Sequence, residues 1–246
     1  MSVVDTGRAG RPSVIAMARW AGVLNVLSAV PDGFSVSVVR KLFARGDATT
    51  TAANILGSEG LFRLALVADL AGLTFFIAAG VLLYEVFKPA GKRLALLYLV
   101  LFESGALIQA LNSVHDLAAL LLVKGEPGLA GLTPAQANAM AFLFLRLHSL
   151  NFNLALVFIG AASVAMGFLV LRATFLPRLI GPLMMVDGVG YVTFSLTTFL
   201  QPALAARLYP TIPFATTLGE AALYLWLIFK GVDASRWQEQ LASTQS

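Results

Sequence analysis

Cysteine is absent from the 246 residues, histidine occurs twice, and charge is scarce: 17 Lys+Arg and 13 Asp+Glu, 12% in all. Without cysteine there is no disulfide framework, thiolate metal site, thiol nucleophile or iron–sulfur ligation. Two histidines, His115 and His148, cannot make a three-histidine zinc centre or an H-E-x-x-H motif. A soluble domain carries about 25% charged residues, so this chain cannot coat itself for water. What it has instead is 58% hydrophobic residues and a mean hydropathy of +0.82. That is the composition of an integral membrane protein. The sequence pI near 9.6 does not point to a nucleic-acid partner, because the basic residues flank apolar segments where they anchor helices.

A hydrocarbon core about 30 Å thick needs roughly 20 residues of helix to cross it. Six segments qualify: Val14–Ser37, Glu59–Phe87, Leu94–Val123, Ala139–Leu171, Leu179–Leu200 and Phe214–Phe229. The first is a poor signal peptide, since Arg19 and Asn25 interrupt it and no small-x-small cleavage site follows. Lys88-Pro89-Ala90-Gly91-Lys92 breaks the second span from the third. Thr133-Pro134-Ala135-Gln136 reads as a capping box with proline at the first helical position, so the fourth helix starts ahead of its apolar run. Asp47-Ala48-Thr49 is a cap for a short amphipathic helix reaching Leu56. Pro177, Pro202, Pro210 and Pro213 punctuate the later connections.

The expectation is therefore an all-α, polytopic membrane bundle of six transmembrane helices in one domain over 1–246. Ten basic residues fall on the termini and even loops (Arg8, Arg11, Arg19, Lys88, Lys92, Arg93, Arg172, Arg178, Lys230, Arg236), against five on the odd loops (Arg40, Lys41, Arg45, Lys124, Arg207). The positive-inside rule then puts both termini in the cytoplasm of a cell membrane. Residues 1–13 and 233–246 become cytoplasmic tails, and 38–57 an external loop carrying the amphipathic helix. Trp20, Tyr84, Tyr98, Trp226 and Trp237 fall near the cytoplasmic face as an aromatic belt would.

Seven of the 13 acids lie inside or at the edge of spans: Asp32, Glu59, Asp69, Glu103, Asp116, Asp187 and Glu220. Each charge at mid-bilayer costs at least about 2.5–3.5 kcal/mol, so such groups face the bundle interior and seek partners. Only Arg63 and Arg146 supply permanent positive charge within the spans. The tally does not balance, which requires some carboxyls to be protonated, hydrated or bound to a cation. Counting inward at about 1.5 Å per residue brings Arg63, Asp69, His115, Asp116, Arg146, His148 and Glu220 to one layer in the outer half. Spacing lets them face inward together: Asn25, Ser28 and Asp32 form one stripe, and Gln109, Asn112 and Asp116 another. His148 pairs with Asn151 on a face, and Asp187, Tyr191 and Ser195 line one side of the fifth span.

Each group also has a plain structural reading. Glu59 and Arg63 are an i, i+4 pair near a helix start. Arg146 with Asp69 or Glu220 would be a buried bridge that fixes packing. His115 and His148 with one carboxylate could ligate a metal, but no spacing motif supports it, so no metal or other cofactor is expected. Ser113 or Ser149 with a histidine and an aspartate could form a hydrolytic triad, but there is no nucleophile-elbow motif. Ser163-x-x-x-Gly167 is a helix-packing signal.

From Gly46-Asp47-Ala48-Thr49-Thr50-Thr51-Ala52-Ala53-Asn54-Ile55-Leu56 through Ser58-Glu59-Gly60-Leu61-Phe62-Arg63, Asp69, Leu147-His148, Phe175-Leu176-Pro177-Arg178 and Gly219-Glu220, the chain resembles a family of bacterial multipass membrane proteins catalogued as domain of unknown function 4386. The resemblance covers nearly the whole chain. It implies the fold and marks Glu59, Arg63, Asp69, His148 and Glu220 as the matching polar positions, with no reaction attached. A looser architectural likeness is to the integral-membrane terpene cyclases of meroterpenoid pathways, which are similar in length, have seven spans and use buried carboxyls to protonate an epoxide or alkene.

Three functions follow as expectations. One is an enzyme acting on a lipid or isoprenoid by general acid–base chemistry, of cyclase, isomerase or hydrolase type. In it Glu59 or Glu220 donates a proton, His148 or Asp69 accepts one, and Arg63 holds an anionic head group. Asn112, His115, Asp116, Arg146, Asn151 and Tyr191 complete the substrate-binding set. The partners would be membrane lipids and a hydrophobic or amphipathic small molecule. The second is a proton-coupled transporter or carrier, and the third a non-catalytic component stapled by buried ion pairs.

Overall fold

A computed structural model describes residues 13–208 and 217–244. The described residues are helical throughout, apart from short connections. They comprise α1 (Val14–Leu42), α2 (Ala48–Gly57), α3 (Glu59–Phe87), α4 (Lys92–Lys124), α5 (Pro134–Arg172), α6 (Ile180–Leu200), α7 (Pro202–Leu208), α8 (Leu218–Phe229) and α9 (Ala234–Ser243). Local chemistry sets the boundaries. At the start of α5 both halves of the capping box form, Gln136 N–H donating to Thr133 Oγ1 (3.3 Å) and Thr133 N–H to Gln136 Oε1 (2.8 Å), with Pro134 at the first position. Gly125, in the left-handed region at φ +67°, stops α4. Asp47 caps α2 by accepting from the Thr50 N–H (2.9 Å) and hydroxyl (2.6 Å), the hydroxyl first among the contacts that hold its carboxyl below the usual carboxylate range.

Five helical segments, α1, α3 with its following turn, α4, α5 and α6, are long and apolar enough to cross a membrane. The chain is an all-helical, multi-pass membrane protein. The sixth expected span begins at Phe214, outside the described residues. Its described part, Leu218–Phe229, is an apolar helix of 12 residues, about 18 Å long. Two elements do not appear in the span count: α7, where Pro202 occupies the first turn of a helix, and α9, which occupies most of the expected tail. Of the expected amino-terminal tail, residues 1–12 lie outside the described residues.

The burial pattern is inverted relative to a soluble protein. Val30, Leu64, Leu107, Leu143 and Val186 are exposed, while Asn25, Asn112, Asp116, Asp187 and Ser195 are buried. In lipid this is the favourable arrangement, because acyl chains solvate the leucines and the bundle interior must pair the polar groups. Packing partners run α1, α3, α4, α5, α6, α8 and back to α1, closing a ring. Inside it, an apolar cluster at the α9 end includes Leu83, Phe102, Met166, Met184 and Leu223, and a second at the α2 end includes Val38, Ile55, Phe62, Leu120 and Leu145. The polar residues lie between these two cores.

Small residues bring the helices together, as expected where no hydrophobic drive acts between them. A Cβ on Gly160 would stand 2.7 Å from the Gly188 carbonyl, and one on Gly167 2.7 Å from the Gly181 carbonyl. Two glycines seven residues apart on α5 thus meet two glycines seven apart on α6, which fixes the register of this antiparallel pair. Gly167 of the Ser163-x-x-x-Gly167 signal is one of the four.

At the opposite end from α2, α9 lies across the helix termini. Trp237 Nε1 donates to Val86 O (2.7 Å), Gln240 Nε2 to Arg172 O (3.0 Å), and the Thr174 N–H and hydroxyl both donate to Gln240 Oε1 (3.0 Å each). Asp233 caps this helix, and hydrogen bonds from the Ser235 hydroxyl and the Arg236 and Ser235 backbone hold its carboxyl below the usual range.

Gly188→Leu should push α5 and α6 apart and lower stability by about 1–3 kcal/mol or more, the usual cost of overpacking. Gly128→Ala, which meets open space, should leave the thermal midpoint in detergent unchanged. A depressed folded-state pKa means that the capping contribution of Asp233 is complete above the ordinary carboxylate value and fades as pH falls through the lower one. A fluorophore on Ser243→Cys, the only thiol in the chain, should therefore gain rotational freedom on acidification. Asp233→Asn, which still caps, should remove that pH response while α9 stays docked.

Candidate functional site

The centre of the polar layer is His148 on α5. Its Nδ1 lies 3.0 Å from Asp116 Oδ1 on α4, so the carboxylate accepts from Nδ1–H and leaves the Nε2 lone pair for other chemistry. Asp116 is buried, and the His148 side chain keeps 21% of its surface accessible. Asp69 on α3 and Asp32 on α1 lie within electrostatic range of the ring. Ser113 Oγ donates weakly to Asp69 Oδ2, at 3.4 Å. Four helices thus place three carboxyls and one imidazole in the same region of the ring.

Amides brace this group. Asn151 Nδ2 donates to both Ile108 O (3.0 Å) and Asn112 Oδ1 (2.8 Å), and Asn112 Nδ2 donates to Gln109 Oε1 (2.8 Å). The ladder ties α4 to α5 one turn below the imidazole and so fixes where His148 and Asp116 face each other. Both stripes expected from spacing, Asn25–Ser28–Asp32 and Gln109–Asn112–Asp116, have buried members.

Glu220 does not join this group. The sequence places it in the same layer, but α8 packs against α6 and α1, and Glu220, at the start of α8, meets α6 beside Asp187. Its N–H donates to Asp187 Oδ2 (2.8 Å), and its Oε2 accepts from the Tyr191 hydroxyl (3.2 Å). Asp187 thereby caps the start of α8 from a neighbouring helix, supplying an acceptor to amides that have no intrahelical partner. Gly219 makes this approach feasible, since a Cβ there would stand 2.6 Å from Asp187 Oδ2. The register of α6 on α5 sets Asp187 level with Gly160, twelve residues or about 18 Å from His148 along α5. Tyr98, Glu103 and Tyr224 lie near this second group. The Tyr98 hydroxyl and Glu103 Oε1 are buried without a hydrogen-bond partner among the described residues.

Other expected residues sit elsewhere. Glu59 accepts from Arg63 Nε (2.8 Å) and Lys124 Nζ (2.9 Å), stapling the start of α3 to the end of α4 about 15 Å from Asp69. Arg63 is therefore engaged at the end of the bundle. Arg146 makes no ion pair with Asp69 or Glu220; it is exposed and lines a cleft near the α2 end. His115 points about 100° away from Asp116 around α4, tilted against Phe144 with ring centroids 6.2 Å apart. Ser113 meets Asp69 rather than a histidine, so no serine–histidine pair arises there. Asp32, Ser113 and Asp187 belong to the two groups although the sequence does not place them in the site: it marks Asp32 and Asp187 as intramembrane acids and Ser113 as a candidate triad serine.

Asp187→Ala strips the α8 amides of their acceptor and should cost about 1–3 kcal/mol, the penalty for an unsatisfied buried polar group. Asp187→Asn keeps one acceptor oxygen and should recover part of it. Thermal midpoints in detergent check this, and an alanine variant as stable as the parent would remove the capping role.

Comparison with known proteins places this geometry in a family. An uncharacterised protein of Archaeoglobus fulgidus is 23% identical over 158 residues, which is 63% of this chain and 76% of that protein. No solved structure matches the chain. Residues 20–231 match the family described as Domain of unknown function (DUF4386), a span that takes in both polar groups and, apart from the start of α1, every helix of the ring. The chain belongs to the DUF4386 family.

Proposed function

We propose that this protein is a membrane-embedded enzyme that performs general acid–base chemistry on a lipid- or isoprenoid-like amphipathic substrate. The observation that carries the reading is the His148–Asp116 pair with Asp69 and Asp32 beside it, inside a ring that is apolar above and below. A histidine oriented by a carboxylate through Nδ1 presents Nε2 as a base. A second carboxyl in the same water-poor space can act as the complementary acid, and pairs of titratable groups in unlike environments commonly divide the roles in this way. Asp69 is the acid in this reading, with Ser113 as its hydrogen-bond partner. Asn112 and Asn151 position the base. Glu220 and Tyr191 hold α8, and Glu59 and Arg63 close the α2 end of the bundle.

A second reading, a proton-coupled carrier, is favoured by the Asp187–Glu220 group on the far side of the layer. Ionisable groups spread along the bundle axis are what a relay needs.

The two are separated by measuring both on the same preparation. Protein in proteoliposomes made from a total lipid extract is incubated in deuterated water, and products are followed by mass spectrometry while an internal dye reports pH. The enzymatic reading expects a new or deuterium-labelled lipid species whose formation drops at least 100-fold in His148→Asn and Asp69→Asn, within the range that general acid–base groups supply. Formation at the parental rate in both variants overturns it. Proton movement abolished by Glu220→Gln, with no lipid product, would establish the carrier instead.

A further inference from the structure

Near the α2 end of the bundle the structure has a cleft of about 720 Å³ lined by Phe43, Arg45, Gly46, Phe142, Arg146 and Ala206. It lies between the turn after α1, the exposed flank of α5, and α7. Its origin is in the unequal lengths of the helices. The glycine register sets the last residue of α6, Leu200, level with His148 of α5, whereas α5 continues for another fourteen residues to Pro134. On that flank α7 is the neighbour that α6 supplies, and the two arginines stand above it.

Both arginines stand on fixed backbone at the edge of the cleft. Arg45 is in a turn closed by Asp47 N–H donating to Ala44 O (3.1 Å) and pinned by Ala44 N–H donating to Thr51 Oγ1 (3.0 Å), with Gly46 in the left-handed region at φ +76°. Arg146 is one helical turn from Phe142. Phe142 stacks on Phe43 with ring centroids 4.8 Å apart and 22° between planes, so an aromatic wall joins α5 to the turn. No carboxylate forms an ion pair with Arg45 or Arg146 among the described residues. Of the acids of this end, Asp47 is engaged with Thr50 and Glu59 with Arg63 and Lys124, and Glu126 forms no ion pair with either arginine. Two guanidinium groups without acidic partners beside an apolar wall have the chemistry to receive phosphate or carboxylate oxygens attached to a hydrocarbon chain.

We propose that this cleft binds the anionic head group of an amphipathic molecule, Arg45 and Arg146 taking the charge and the Phe43–Phe142 pair covering the first carbons of its chain. Arg146 is two residues from His148, about 3 Å along the helix axis but about 200° around it, so a molecule held here sits on the outer flank of α5, on the opposite face from the imidazole. The proposal stands apart from the enzymatic reading and assigns a ligand class to this flank: an anionic amphiphile.

The test is a ligand-induced shift of the thermal midpoint for protein purified in a neutral maltoside detergent, titrated separately with dodecyl phosphate, dodecylphosphocholine and inorganic phosphate. Dodecyl phosphate should give a saturable rise, weakened at least ten-fold in apparent affinity in the Arg45→Gln/Arg146→Gln double variant and retained in part in the corresponding double lysine variant. Equal affinity of parent and double glutamine variant for dodecyl phosphate overturns the site. An equal response to dodecylphosphocholine overturns its selectivity for an anion, and an equal response to inorganic phosphate overturns the role of the chain. Binding is read here without turnover. A missing shift therefore removes this site and leaves the acid–base reading standing, while a clear shift without any lipid product in proteoliposomes does the reverse.

Discussion

The middle of a bilayer holds no water, so every polar group that the helices carry there must find its partner inside the ring. This constraint organises the molecule. It turns the leucines outward, puts glycine and alanine at the contacts, and concentrates asparagine, aspartate and histidine in a layer between two apolar cores. It also explains why bonds between helices go to backbone as often as to side chains: Asn151 reaches a carbonyl of α4, and Asp187 takes an amide of α8. In lipid an amide left over at a helix start is costly, though less so than a stray charge, and the Asp187 carboxylate supplies the acceptor at the start of α8.

Much of the fold is legible in the sequence, for reasons that are local. Apolar runs of sufficient length, a proline–glycine break at 88–92, a capping box at Thr133 and an aspartate cap at Asp47 act within a few residues of where they are written. The α9 helix is written locally too, as Asp233 followed by Ser235 and Arg236, but its low hydropathy makes it look like a tail. Helix α7 is hidden by Pro202, which punctuates a connection and also begins a helix.

The candidate site is legible only to the extent that depth and spacing determine it. Periodicity along α1 and α4 identifies Asp32, Asn112 and Asp116 as members of inward stripes, and counting inward brings His148 to their level. Depth along α8 misplaces Glu220. The level at which that helix meets α6 is decided by Gly219 closing on Asp187, and by the paired glycines that set α6 on α5. Those are contacts between different helices, and no count along one helix contains them. The same limit applies to Glu59, whose second partner beyond Arg63 is Lys124, from the end of α4.

The inequality of α5 and α6 has a consequence for the surrounding membrane. At about 1.5 Å per residue, 39 residues of α5 extend about 58 Å while 21 residues of α6 extend about 31 Å. The lipid-facing girdle is therefore uneven in height around the circumference. On the low side the leaflet must thin or the whole bundle must lean, at a cost of a fraction of a kcal/mol per ångström of mismatch. Thinning there brings lipid phosphates down toward the flank that carries Arg45 and Arg146.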